Sequence, residues 1–162
     1  MKRAEVLSNL AYLVAGLFVL HVGHYIVAIA LVALSVTSSL YHLTHYRDWR
    51  IADRYFVVGT VLAVMYELGM LSPISGSLLA LLAIYPAVAL MPLDPFVIAG
   101  VGLSAGYIWP KSWLPLGLMM LAGYCASRAE RVDHLTTEYQ VFHSLWHVLT
   151  ALAVIVTLLV AS

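Results

Sequence analysis

At 162 residues the chain has room for one membrane domain and no second; 63% of it is hydrophobic and only 10% is charged. A water-soluble domain of this size carries roughly a quarter charged residues, so there is too little polar surface here to face water on all sides. With a formal net charge of +0 and no basic or acidic run, the chain has no footprint for nucleic acid, and its one cysteine, Cys125, excludes an intrachain disulfide and a cysteine-rich zinc module.

Met1-Lys2-Arg3 ahead of an apolar stretch imitates a signal peptide, but no small-residue cleavage site follows, so an anchor that stays in the protein is expected. Apolar segments then alternate with short polar or Pro/Gly breaks. Spans are predicted over residues 4–20, 24–42, 53–71, 77–91, 96–108, 113–127 and 139–160, with breaks at 21–23, 44–52, 72–76, 92–95, 109–112 and 128–138. Several fall short of the ~20 residues that cross a bilayer straight, and the fourth and fifth have the length of a re-entrant pair. The fold expected is an all-α, polytopic seven-helix bundle forming a single transmembrane domain over residues 1–162.

Charge orients it, because Lys and Arg concentrate in cytoplasmic loops. With the N-terminus inside, Lys2, Arg3, Arg47, Arg50, Arg54, Arg128 and Arg131 fall on the cytoplasmic side and Lys111 alone falls outside. Removing spans four and five together leaves that partition unchanged. An N-in, C-out integral membrane protein is therefore predicted.

Ionisable groups inside spans are costly and mark function. The second span ends Ser38-Ser39-Leu40-Tyr41-His42, and Ser38 and His42, four apart, share a helical face. Asp53 opens the third span, and the last begins with His143 and His147, again four apart. The charge topology puts all five on the cytoplasmic side, with Ser38 and His147 one turn deeper, ~5–6 Å, than His42 and His143. Three neutral imidazoles and a water are a recurrent ligand set for catalytic Zn²⁺. The metal lowers the pKa of its water to about 7, a carboxylate can take that water's proton, and a hydroxyl can donate to the oxyanion. At the lipid boundary such chemistry suits hydrolysis of an acyl bond in a membrane lipid.

Ser38-x-x-x-His42, Asp53 eleven residues later and His143-x-x-x-His147 on the last helix resemble the superfamily of alkaline ceramidases, adiponectin-type receptors, hemolysin III-like proteins and Per1-type GPI-remodelling proteins. The resemblance implies seven helices, zinc held by His42, His143 and His147, and Asp53 and Ser38 beside the metal-bound water. Tyr41-His42-Leu43-Thr44, which is similar to Phe-His-x-Thr, and His143-Ser144-Leu145-Trp146-His147, which looks like His-x-x-Trp-His, lean towards the ceramidase branch, as does Glu5-x-x-Ser8-Asn9. The chain is much shorter than animal ceramidases and shows no acidic calcium-binding segment ahead of Glu5. Ceramide or another acyl-lipid is the implied substrate; protein partners have no signature.

Plainer roles compete with each assignment. The histidines can be interhelical hydrogen-bonding groups, Asp53 can be a helix N-cap, and Ser35, Thr37 and Ser39 share the interface chemistry of Ser38. His45 is expected in a polar loop, and His21 and His24 at solvent or headgroups on the far side. Glu5 and Asn9 can contribute to the site or fix the first helix, the second being favoured; Asp133, His134 and Glu138 are expected to form a solvated loop, and Glu67 to lack an obvious basic partner. Two other functions share the same residues: a receptor or scaffold with structural zinc, and a bis-histidine haem protein. The haem protein has no use for Asp53.

Overall fold

A computed structural model of the protein describes residues 2–88, 100, 103–104, 106–133 and 135–162. Every element in it is a helix: α1 (Lys2–Ser8), α2 (Leu10–His21), α3 (Tyr25–Thr44), α4 (Arg47–Glu67), α5 (Pro73–Val88), α6 (Leu114–Glu130) and α7 (Thr137–Ala161). Residues 100, 103–104 and 106–108 are also helical. Most of the predicted fifth span, the break at 92–95 and His134 lie outside the described residues.

Among the described residues, three stretches are long and apolar enough to cross a membrane: Ala4–His21, Tyr25–Thr44 and Thr137–Ala161. Large apolar side chains point away from the bundle on several helices, among them Leu7, Val14, Ile29, Ile74 and Met120. A soluble protein of this size does not carry so continuous an apolar exterior. The interior is built from smaller groups. Ala15, Val19, Val27, Ala28 and Leu31 bury the α2–α3 contact, with Ala63, Val64, Ala151 and Leu158 completing the core. At Gly16 an added Cβ would lie 3.0 Å from Val32 Cγ2 and 3.2 Å from the Ala28 carbonyl, so glycine sets how closely α2 approaches α3.

Helix ends depart from the predicted breaks at two places. The first span is interrupted at Asn9: the Ser8 hydroxyl donates to the Glu5 carbonyl at 2.8 Å, and a fresh helix starts from the Asn9 carbonyl. The polar break at 44–52 shrinks to His45 and Tyr46. His45 takes the left-handed conformation (φ 56°) that ends α3, and α4 begins at Arg47. Hydropathy marks where a helix enters the hydrocarbon, whereas this helix starts nearly two turns earlier in polar surroundings. Asp53 therefore sits inside α4 and does not cap it.

The bundle has two polar ends. One gathers Glu5, Ser8, His42, Asp53, His143 and the Arg128–Glu138 ion pair that joins the end of α6 to the start of α7. Glu138 is thus paired at a helix start instead of floating in a loop. At the other end His24 Nδ1 lies 3.3 Å from Glu67 Oε2, Ser162 Oγ lies 3.4 Å from His24 Nε2, and Lys111 Nζ donates to the Ala161 carbonyl at 3.2 Å. Glu67 accordingly has a partner, contrary to expectation. The start of α3 and the end of α4 meet at that end of the antiparallel pair, which brings His24 and Glu67 together.

Candidate metal centre

His42 projects from the last turn of α3, and His143 and His147 project one turn apart from the start of α7. All three are buried. Each offers one ring nitrogen within 4.8 Å of the other two, and His42 Nε2 lies 3.4 Å from His143 Nε2. Zinc–nitrogen bonds of ~2.0–2.1 Å in a tetrahedron put two ligand nitrogens about 3.4 Å apart, so this pair already has the spacing of two ligands on one ion. The donor set fits a divalent metal by type, by burial and by spacing.

The rings are held from several sides. Tyr139 stacks on His143 with ring centroids 5.1 Å apart and planes 22° from parallel, and Trp146 meets the same ring edge-on at 5.5 Å. Tyr12 lies 5.3 Å from the His147 ring and is fixed by a 2.8 Å hydrogen bond between its hydroxyl and Thr150 Oγ1. Thr150 already donates to the Trp146 and His147 carbonyls, so Tyr12 donates to it.

Two contacts come from the first helix. Glu5 Oε2 lies 3.0 Å from His42 Nδ1, and Ser8 Oγ lies 3.0 Å from His147 Nδ1. Glu5, expected chiefly to fix the first helix, touches a candidate ligand directly, and Ser8 does the same for a second. The motif Glu5-x-x-Ser8-Asn9 was the available signal, but its partners are more than thirty residues away in sequence, where spacing says nothing. Asn9 is fully buried; its backbone carbonyl accepts from Ser35 Oγ at 2.9 Å, while its side-chain Oδ1 and Nδ2 meet no hydrogen-bond partner among the described residues.

Ser38 and Asp53 are neighbours across the α3–α4 contact, the hydroxyl within reach of the carboxylate. Asp53 Oδ1 is buried with no hydrogen-bond partner among the described residues. Thr37, by contrast, spends its hydroxyl on the carbonyls of its own helix, and Ser35 spends its on Asn9. Ser38 is the hydroxyl of the group that meets Asp53.

A cavity of about 1190 Å³ is lined by Ser38, His42, Asp53, His143 and His147 at one end. It runs on past Val57, Val61, Val64, Met119, Val154 and Thr157, a mostly apolar wall drawn from α4, α6 and α7. His45, placed at the α3–α4 turn, lines it too, together with Arg50 and Arg54. His21 and His24 are far from it, at the opposite end of the bundle.

No protein-family model, curated protein or solved structure matches the chain.

Proposed function

We propose that the protein is a zinc-dependent intramembrane hydrolase that cleaves the amide or ester bond of an acyl-lipid. The observation that carries this reading is the convergence of His42, His143 and His147, from two helices about a hundred residues apart, beside Ser38 and Asp53 on one cavity wall. Structural histidines have no need of a third imidazole and an unpartnered buried carboxylate oxygen in the same place.

Zinc held by the three imidazoles supplies a water acidic enough to attack near neutral pH. The protein does the rest. Asp53 takes the proton that the water gives up as its oxygen bonds to the acyl carbon, and passes it to the amine or alkoxide that leaves when the C–N or C–O bond breaks. Ser38, whose one hydrogen faces Asp53 in the resting site, would turn it to the acyl oxygen as charge builds there. The apolar wall receives the acyl chain. From His147 to Thr157 is ten residues, ~15 Å along a helix, and half of the ~30 Å hydrocarbon core is one leaflet's worth of chain. Within this class a ceramide-like amide is the leading substrate, on the resemblance of Tyr41–Thr44 and His143–His147 to alkaline ceramidases.

The proposal includes seven spans, with the N-terminus and the metal site on the cytoplasmic side. α4 ends and α6 begins at the same end of the bundle, so an even number of crossings belongs between them. α5 and the helical residues near 100–108 supply two. Seven of the eight Lys and Arg residues then flank the cytoplasmic ends, Lys111 being the exception.

The test is elemental analysis of the purified protein beside a His42/His143/His147 triple-alanine variant, followed by turnover of a panel of lipid amides and esters. About one zinc per chain, absent from the variant, together with hydrolysis by the wild type alone is the expected result. A metal-replete wild type without zinc refutes the proposal.

A further inference from the structure

We infer that α1, which supplies no ligand, is nonetheless part of the metal centre: Glu5 and Ser8 are positioning residues that fix the tautomers of His42 and His147 so that both present a bare Nε2 to the metal. The inference rests on the hydrolase reading only for the presence of the metal.

Proton accounting leads to it. A serine hydroxyl has one hydrogen to give. Ser8 Oγ lies 2.8 Å from the Glu5 carbonyl, which can only accept, and 3.0 Å from His147 Nδ1. With the serine hydrogen on the carbonyl, Oγ accepts from His147 Nδ1–H, and the Nε2 lone pair is open. Glu5 Oε2 lies 3.0 Å from His42 Nδ1; where that oxygen accepts the proton of Nδ1, His42 Nε2 is the bare nitrogen. That bare nitrogen is the one 3.4 Å from His143 Nε2. Two independent hydrogen bonds from one short helix thus expose the same ring atom on two rings that converge. Both partners are buried, Glu5 and Ser8 at 8% exposure each, so water does not compete for the imidazole protons. A carboxylate on the far nitrogen also makes an imidazole a stronger donor to a cation.

A mere clamp between α1, α3 and α7 makes a different prediction. Zinc affinity is measured on the full chain in detergent by competition with a chelator for wild type, Glu5→Gln, Glu5→Ala and Ser8→Ala, with helix content by circular dichroism. Glu5→Gln keeps an oxygen that accepts from Nδ1–H and loses only the charge. The expected order is wild type tightest, Glu5→Gln weaker, and Glu5→Ala and Ser8→Ala weaker still, by on the order of 10–100-fold, at unchanged helix content. Co²⁺-loaded Glu5→Gln shows a shifted visible absorption, because the ligand field depends on the basicity of His42. Wild type that binds zinc through its histidines, with all three variants binding as tightly, overturns the inference and leaves the hydrolase reading standing. Should Glu5→Ala not fold, Glu5→Gln and Ser8→Ala decide by the same criterion. Wild type without zinc overturns both.

Discussion

Replacing Asp53 by asparagine separates metal binding from chemistry. The side chains are nearly the same size, and Asp53 is not among the three imidazole donors, so zinc content stays at the wild-type value. Packing changes little. The carboxylate has one buried oxygen without a partner and one neighbouring hydroxyl, Ser38. An amide can accept from that hydroxyl as the acid does, so the stability cost stays within ~1 kcal/mol, that of one neutral hydrogen bond. What disappears is the proton acceptor for the attacking water. Loss of a positioned general base costs ~10²–10⁴ in rate, or about 3–5 kcal/mol of barrier at 1.36 kcal/mol per decade. Initial rates on the best lipid amide or ester, normalised to zinc content, read this directly. Turnover unchanged at full zinc occupancy would refute the role of Asp53. Zinc lost along with turnover would make Asp53 a ligand, and a wild type that retains zinc without hydrolysing any lipid would point to a receptor or scaffold in which the metal is structural.

Three further outcomes follow from the geometry. Gly16→Ala gains up to ~1 kcal/mol of helix propensity but pushes its Cβ to 3.0 Å from Val32, an overpacking cost of ~1–3 kcal/mol. Thermal unfolding in one detergent should show it neutral to destabilised, while Gly59→Ala and Gly123→Ala, whose added Cβ meets nothing within 4 Å, are stabilised. Val154→Trp fills the cavity about two turns, ~10 Å, beyond His147; hydrolysis of long-chain substrates falls relative to short-chain ones, with zinc retained, and a uniform loss across chain lengths would contradict the placement of the acyl chain. Glu67→Gln, at the opposite end of the bundle, leaves zinc affinity unchanged and costs about 1 kcal/mol of stability, because the amide oxygen still accepts from His24 Nδ1 while the charge is lost.

The histidine cluster was legible in the sequence because each part obeys a local rule. A four-residue step puts two polar groups on one helical face, and the distribution of Lys and Arg says which helix ends share a side. Those two rules bring His42, Asp53, His143 and His147 to one end without any knowledge of packing. They stop at anything that depends on which helices touch. The contacts of Glu5 with His42 and of Ser8 with His147 need α1 wedged against both α3 and α7, and no periodicity encodes that. The His24–Glu67 pair lay closer to reach: the same parity rule places both at the far end, and the missing step was to ask which helices are antiparallel neighbours. The break at 44–52 misled for another reason. Arg47, Asp48 and Arg50 lower the hydropathy of a segment that is helical from Arg47 onward, so composition recorded polarity and not the end of the helix.

The contact between Ser8 and His147 spans 139 residues of chain, and that between His42 and His143 spans 101. One half of the centre is therefore synthesised near the start of translation and the other near its end. Until α7 is inserted, His42 and Glu5 sit in a partly built bundle that lacks His143 and His147, two of the three clustered imidazoles. Any cation that needs all three is therefore held only once the last helix is in place. Closing contacts of such long sequence separation is also the slow part of folding, so the three-histidine cluster is a late product of assembly.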